Sequence, residues 1–210
     1  MLLVRRYAWG RVLDIGCADQ WIRPHLPNGC DYIGLDSLKT GGALYNAKPD
    51  VFADACDLPL QDSSVDTVLM LEVLEHIRNP SKALSEVARV LRPGGGLLLT
   101  LPFLYPVHDA PHDYQRYTSH GLVRELQSVG FVVDDPVETL ESIETAGLLA
   151  SLALAGVGSE ILQKKNLTLL ALPFIVAFIP VINISCWLAG LVLPTWSALT
   201  VGYRIHGRMP

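Results

Sequence analysis

Residues 11–20 read RVLDIGCADQ, and the reading of the whole chain starts there. RVLDIG is a short apolar run that stops at a glycine, the pattern of a buried strand running into a turn. A polar stretch to Asp31 follows, and then YIGLD at 32–36, a second apolar run closed by an acid. Gly41-Gly42 and Pro49-Asp50 are loop signals, Val51 to Ala53 read as a third strand before Asp54, and VDTVLML at 65–71 as a fourth. Ser81 is an N-cap candidate for a helix in which Ala83, Leu84, Val87, Ala88 and Leu91 fall at helical spacing, with Pro93-Gly94 as its stop. Leu97 to Leu101 read as a fifth strand ended by Pro102. Thr118 to Val129 fit a second helix, capped by Thr118 or Ser119 and ended by Gly130, and Phe131 to Val133 begin a sixth strand. Strands alternating with helices at this spacing predict a parallel α/β sheet.

In such a sheet, ligands bind beyond the carboxyl ends of the strands. The first strand ends at Asp14-Ile15-Gly16, and Asp36 lies 20 residues after Gly16 at the end of the second. An acid so placed accepts hydrogen bonds from ribose hydroxyls. Asp54, at the end of the third strand, is placed to meet an adenine amino group, with Asp57 as a nearby rival.

VLDIGCADQ, YIGLD, FADACDLPLQDSSVDTVLMLEVLEHI and RVLRPGG, in this order within residues 11–135, resemble the class I S-adenosylmethionine-dependent methyltransferases, and among them the methyltransferase type 11 group. The resemblance implies a Rossmann-like α/β fold: the seven-stranded methyltransferase sheet, six strands parallel and the last antiparallel. It implies S-adenosyl-L-methionine as cofactor, held by Asp14 and Gly16 in the first loop, Asp36 on the ribose, and Asp54 with Ala55 beside the adenine. Glu72, after the fourth strand, is expected to line the methionine end. Glu75 and His76, one helical turn later, read as capping and packing residues. The family's first loop usually reads GxGxG, whereas this chain has Gly16, Ala18 and Gln20. Alanine is tolerable there at negative φ and costs energy at positive φ. The cofactor carries no phosphate, so a full phosphate-cradling nest is not required. A helix usually precedes the family's first strand, and with ten residues before Arg11 its absence is expected here.

Residues 103–118, FLYPVHDAPHDYQRYT, follow the fifth strand and so lie over the active-site edge. His108, His112, Asp113 and Arg116 are the candidate acceptor-pocket and base residues, since O-methylation requires loss of a hydroxyl proton and imidazole suits that task. The segment resembles the H-x-x-P-x-D-Y-x-R-[YF]-T stretch of type 11 relatives associated with cell-surface glycan and lipid-linked sugar pathways. Two other readings stand beside it. Asp113 and Arg116 pair to scaffold the loop, or alignment alone drives an in-line methyl transfer with no base. His108 and His112 are four apart, but Pro106 and Pro111 disfavour a helix, so no metal set is expected from that spacing.

The 210 residues carry a net charge of -5, with 18% charged and 50% apolar residues. Such a chain is too apolar to be disordered, and it lacks the basic stripe of a nucleic-acid binder. Cys17, Cys30, Cys56 and Cys186 form no CxxC pair and read as reduced thiols. No signal-peptide pattern opens the chain, so the catalytic part is expected to face the cytoplasm. The charge deficit lies at the end: the 38 residues from Asn166 to Tyr203 contain no Asp, Glu, Lys or Arg. Within them, residues 167–193 form an apolar run that Pro173 and Pro180 are expected to interrupt, leaving arms short for a full span. Residues 146–157 add an apolar helix of small residues. Lys164-Lys165 and Arg204 with Arg208 flank the region, which predicts that both ends are cytoplasmic.

LTVGYRI at 199–205 resembles the family's last strand, so both ends of the insertion must return to one sheet and a single span is excluded. A two-span hairpin, a half-inserted hairpin and a helical lid or dimer face remain. The expected organisation is a methyltransferase domain at 1–139, an apolar helical insertion at 140–198, and the last strand with a C-terminal tail at 199–210. The expected function is O-methylation of a small-molecule or lipid-linked acceptor, such as a glycan precursor, at the cytoplasmic membrane face. Residues 146–198 would touch the membrane surface, and no nucleic acid is expected. The alternatives are a soluble methyltransferase of small metabolites, or a catalytically silent methyltransferase-like module that binds a membrane partner, which Ala18 and Gln20 favour.

Overall fold

The computed structural model describes residues 2–164 and 167–210, so Lys165, one of the expected flanking cations, lies outside the described residues. In chain order the first elements are α1 (Leu2–Tyr7), β1 (Arg11–Ile15), β2 (Asp31–Asp36), α2 (Ala43–Tyr45), β3 (Val51–Phe52) and β4 (Val65–Leu71). There follow α3 (Pro80–Val90), β5 (Leu91–Pro102), α4 (Ser119–Ser128), β6 (Val132–Val133), β7 (Val137–Glu138), α5 (Ser142–Lys164), α6 (Leu172–Gly190) and β8 (Gly202–Arg208). The sheet order is β3-β2-β1-β4-β5-β8-β6, with β7 paired to β8. Neighbours from β3 through β5 run parallel, and β8 runs antiparallel to β6. This is the expected Rossmann-like methyltransferase sheet, with two-residue β7 as an added eighth strand.

Two compact units divide the chain: Met1–Phe103 with Val107–Val137 and Tyr203–Pro210, and Leu104–Pro106 with Glu138–Gly202. In the first unit, side-chain alternation splits the central strands between two cores, one on each face of the sheet. Val12, Leu69 and Leu98 join Val4 and Ala8 from the α1 segment on one face. Leu13, Ile15, Val68, Met70, Leu97 and Leu99 join Leu84 and Val87 of α3 and Leu122 and Leu126 of α4 on the other. Burial on both faces is why these strands read as continuous apolar runs. Helix α1 also corrects the expectation that no helix precedes the first strand.

Boundaries differ where local chemistry outranked spacing. Helix α3 starts at Pro80, capped by the Asn79 carboxamide, which accepts from Lys82 N at 3.2 Å; Ser81 lies inside the helix. Proline suits a first helical turn because that amide has no partner to lose. The helix stops at Val90 because Leu91 already pairs with Val65, and β5 then slips register before Gly96 pairs with Thr67. Gly95 sits at this irregularity, where a Cβ would lie 2.8 Å from the Arg92 carbonyl oxygen. Thr118 caps α4 as expected, accepting from Gly121 N at 3.1 Å. The last strand runs three residues later than expected, because Thr200 is held in a turn by its hydroxyl bond to the Leu140 carbonyl oxygen at 3.1 Å.

In the second unit, α5 and α6 form an antiparallel hairpin. Glu144 meets Gly190, Gly147 meets Cys186, and Gly158 meets Ile175. Ser151 Oγ donates to Asn183 Oδ1 at 2.9 Å, so the asparagine that interrupts the apolar run pairs within the hairpin. The prolines do not break α6: Pro173 lies in its first turn and the helix continues through Pro180. Residues 142–164 and 167–190 are both long and apolar enough to cross a membrane, with mean hydropathy 1.5 and 2.4. No α6 residue is buried, and Phe174, Phe178, Ile184 and Trp187 are each more than half exposed.

The hairpin register gives a test. A Cβ on Gly147 would lie 2.7 Å from Cys186 Cβ, whereas one on Gly156 meets nothing within 4 Å. Gly147→Val should therefore destabilise the full-length protein by about 1–3 kcal/mol through overpacking, with Gly156→Val as the near-neutral control, both read by thermal unfolding in detergent.

Candidate cofactor and acceptor site

The carboxyl ends of β1, β2 and β4 deliver Gly16, Asp36 and Glu72 to one edge of the sheet. Gly16 has φ +75°, and a Cβ there would lie 2.4 Å from a Val73 methyl, so both conformation and close approach require glycine. Ala18 and Gln20 also adopt positive φ, +47° and +62°. The departure from a glycine-rich loop is thus accommodated by strain in the left-handed region. Side-chain and backbone bonds offset it. Asp36 Oδ2 accepts from Ala18 N at 2.8 Å, and Gln20 Nε2 donates to the Lys48 carbonyl oxygen at 2.7 Å. Asp36 Oδ1 accepts from Ser37 N at 2.7 Å.

Two contiguous cavities, of about 190 and 740 Å³, share Gly16, Asp36, Thr40, Val73, His76 and His112 as lining. Ala18, Glu72 and Asp109 line the smaller, and Asp54 with Ala55 the larger; Asp57 lines neither. Asp14 does not line either cavity. It lies beneath the loop, nearly fully buried, and accepts from the Tyr32 hydroxyl at 2.7 Å. Burial pushes its carboxyl up, the Tyr32 bond opposes this and the Asp36 charge adds to it, leaving it at about 7. Desolvation also raises Glu72 above the usual carboxylate range, against its bond to Thr100.

Of the four acceptor-side candidates, the structure brings only His112 to the cavities. Asp113 is almost wholly buried and takes both terminal nitrogens of Arg116, with Nη2–Oδ2 at 2.7 Å. That guanidinium holds the Asp113 carboxyl down at about 2. Asp113 Oδ2 also accepts from His108 N at 3.0 Å and lies 3.3 Å from His108 Nδ1. The pair therefore scaffolds the loop and sets the pose of His108.

Residues that the sequence reading did not assign to the acceptor site complete this wall. Gln115 Nε2 donates to the carbonyl oxygens of Leu74 and Ile77, tying the loop to the turn after β4. Asp109 lines the smaller cavity and accepts from the Tyr45 hydroxyl. His76 is a cavity residue as well as a packing residue, and its Nδ1 meets the His112 carbonyl oxygen at 2.9 Å. Glu75 is fully buried, and neither carboxylate oxygen has a hydrogen-bond partner among the described residues. Burial pushes it up to about 8. The expected absence of a metal set considered only His108 with His112; the structure instead gathers Glu75, His76 and His108, one ligand atom from each lying within 4.8 Å of the others.

Residues 13–99 match the family model of the methyltransferase domain, type 11. A probable S-adenosylmethionine-dependent methyltransferase of Mycolicibacterium smegmatis is 32% identical, over 70% of this chain and 60% of the relative. The O-methyltransferase cnsE of Penicillium expansum is 33% identical, over 73% and 63%. The chain thus spans under two thirds of the length of these curated relatives. Among solved structures, Haemonchus contortus phosphoethanolamine N-methyltransferase 2, in complex with S-adenosyl-L-methionine, aligns with a TM-score of 0.56 at 16% identity, over 100% of this chain and 52% of that one, a likeness of fold.

The buried Asp14 gives a pH test. The unfolded chain releases this proton near 3.8 and the folded chain near 7, so the folded state binds more protons in between. Stability should fall as pH rises across that window and level off above it. Asp14→Asn should flatten this slope, by about 4 kcal/mol between pH 4 and 8, in thermal unfolding without cofactor. Ala18→Gly should stabilise the protein by about 0.5–1 kcal/mol in denaturant unfolding, because relief of the left-handed alanine exceeds the added unfolded-state entropy. Motif order, sheet topology and the family match over residues 13–99 agree in supporting a class I S-adenosylmethionine-dependent methyltransferase domain of type 11.

Proposed function

We propose that the chain transfers the methyl group of S-adenosyl-L-methionine to a hydroxyl of a lipid-linked or otherwise amphipathic acceptor, such as a glycan precursor, at the cytoplasmic membrane face. Asp36, Glu72 and Asp109 line the smaller cavity with no Lys or Arg among its described lining residues, which suits a cationic sulfonium. Gly16, Ala18 and Asp36 would hold the loop side and ribose of the cofactor, Asp54 and Ala55 its adenine, and Glu72 its methionine end. In the transfer, an acceptor oxygen forms a bond to the methyl carbon as the carbon–sulfur bond breaks. The electron pair of that bond leaves with the sulfur as a neutral thioether, and the acceptor proton passes to a base. His112 is the candidate for that base, because it alone of the four proposed acceptor-side residues lines the cavities. Alignment of the reacting atoms supplies much of the acceleration in such a displacement.

The observation that carries the acceptor class is the unburied apolar surface of α6. An apolar patch of this size on a protein surface marks a membrane or a partner. A relative named an O-methyltransferase supports oxygen as the methylated atom.

The test is membrane fractionation of the full-length protein, followed by tritiated-methyl transfer to a lipid extract. Membrane association and label in the organic phase are expected. Residence in the soluble fraction at low salt, with label only in water-soluble metabolites, would favour the soluble alternative. Asp36→Ala should weaken cofactor binding by about 10–100-fold in calorimetry, the effect of losing a charged hydrogen-bond acceptor. Absence of cofactor binding by the wild type would leave the silent binding module.

A further inference from the structure

We propose that Glu75, His76 and His108 form a binding site for a divalent transition-metal ion in the wall of the cofactor and acceptor cavity. The surroundings of His76 fix its tautomer. Its Nδ1 lies 2.9 Å from the His112 carbonyl oxygen, which can only accept, so Nδ1 carries the proton. A neutral ring then presents its Nε2 lone pair. Facing that nitrogen are Glu75 Oε1 at 3.7 Å and Asp109 Oδ2 at 3.8 Å. At these separations neither carboxyl oxygen forms a hydrogen bond with the ring nitrogen. A proton on Nε2 would not bridge such gaps. A metal ion bound at about 2.0–2.2 Å from each ligand atom spans them.

Glu75 supplies the independent observation. Its side chain is fully buried and both oxygens lack hydrogen-bond partners among the described residues. A buried carboxyl group without hydrogen bonds is costly; the Arg116 charge offsets part of that cost, and coordination of a cation is one of the few ways a fold meets the rest. His108 completes the set, and His76 and His108 meet edge to face with ring centroids 4.8 Å apart. His76 has the outer partner characteristic of metal ligands, a backbone carbonyl, while His108 Nδ1 lies between Asp113 Oδ2 at 3.3 Å and Arg116 Nη2 at 3.4 Å. Two imidazoles and one carboxylate are the donor set of open zinc-type sites that keep a further position for water or substrate. His76 lines both cavities, so that position would face the acceptor side. A cation there would lower the pKa of a hydroxyl reaching it. That role rests on the methyltransferase reading; metal binding does not.

The experiment uses the full-length protein in detergent, stripped with a chelator and titrated with Co²⁺. It is read by visible absorption and by metal content after gel filtration, with Zn²⁺ as competitor. One equivalent per chain is expected, weakened by at least about tenfold in Glu75→Gln and in His76→Gln. Because Glu75 is fully buried, His108→Gln, at a side chain 30% exposed, serves as a third variant tolerant of change. Absence of stoichiometric uptake by wild-type protein that binds S-adenosyl-L-methionine, or uptake unchanged in all three variants, would overturn the site. Uptake without cofactor binding would overturn the methyltransferase reading and leave the metal site standing.

Discussion

The site depends on one carboxylate accepting two backbone amides. Asp36, at the end of β2, takes Ala18 N on one oxygen and Ser37 N on the other. The first bond fixes the strained loop after β1, and the second fixes the start of the segment that carries Thr40, Gly41 and Tyr45 to the cavity. Gly41 closes against the same group so tightly that a Cβ would lie 2.0 Å from Asp36 Oδ1. Each oxygen of a carboxylate has more than one acceptor direction. Asp36 can therefore organise the loop and still keep acceptor directions for further donors.

The acidic side of the molecule follows two different solutions to burial. Asp113 is buried with a bidentate arginine and stays ionised. Asp14 is paired only with a tyrosine hydroxyl and Glu75 has no hydrogen bond among the described residues, and burial pushes both toward the neutral form. The difference is one of partners rather than depth, and it separates a group that braces a loop from groups whose charge the cavity can draw on.

Much of the fold was legible in the sequence because the central strands are covered on both faces and so read as apolar runs with acids or glycine at their ends. The 20-residue step from Gly16 to Asp36 marked one edge of the cavities for the same reason: both are strand ends on neighbouring strands. Asn79 was passed over in favour of Ser81, although an asparagine directly before a proline is itself a strong helix-start signal. Reading Pro180 as a break assumed that a lost backbone bond ends a helix, yet α6 continues through it. Asp109, Tyr45, Gln115 and the part His76 plays in the cavity were not legible, because they meet across 36 to 64 residues of chain. No local period encodes such pairings. His108 and His112 were weighed as a pair because they are close in sequence, whereas the fold turns His108 toward Glu75 and His76.

The sheet order has a consequence for synthesis. Strands β1 to β5 are all present once residue 102 has emerged, and they can close on one another in the order in which they appear. Among the described residues, strand β6 has no such neighbour: it pairs only with β8, which also separates it from β5. During N-to-C synthesis, the apolar hairpin is therefore made while one side of the sheet is still open. The final strand that completes the sheet must wait until that hairpin has left the ribosome. If the hairpin enters a membrane, insertion precedes closure, and the protein would finish folding already at its place of work.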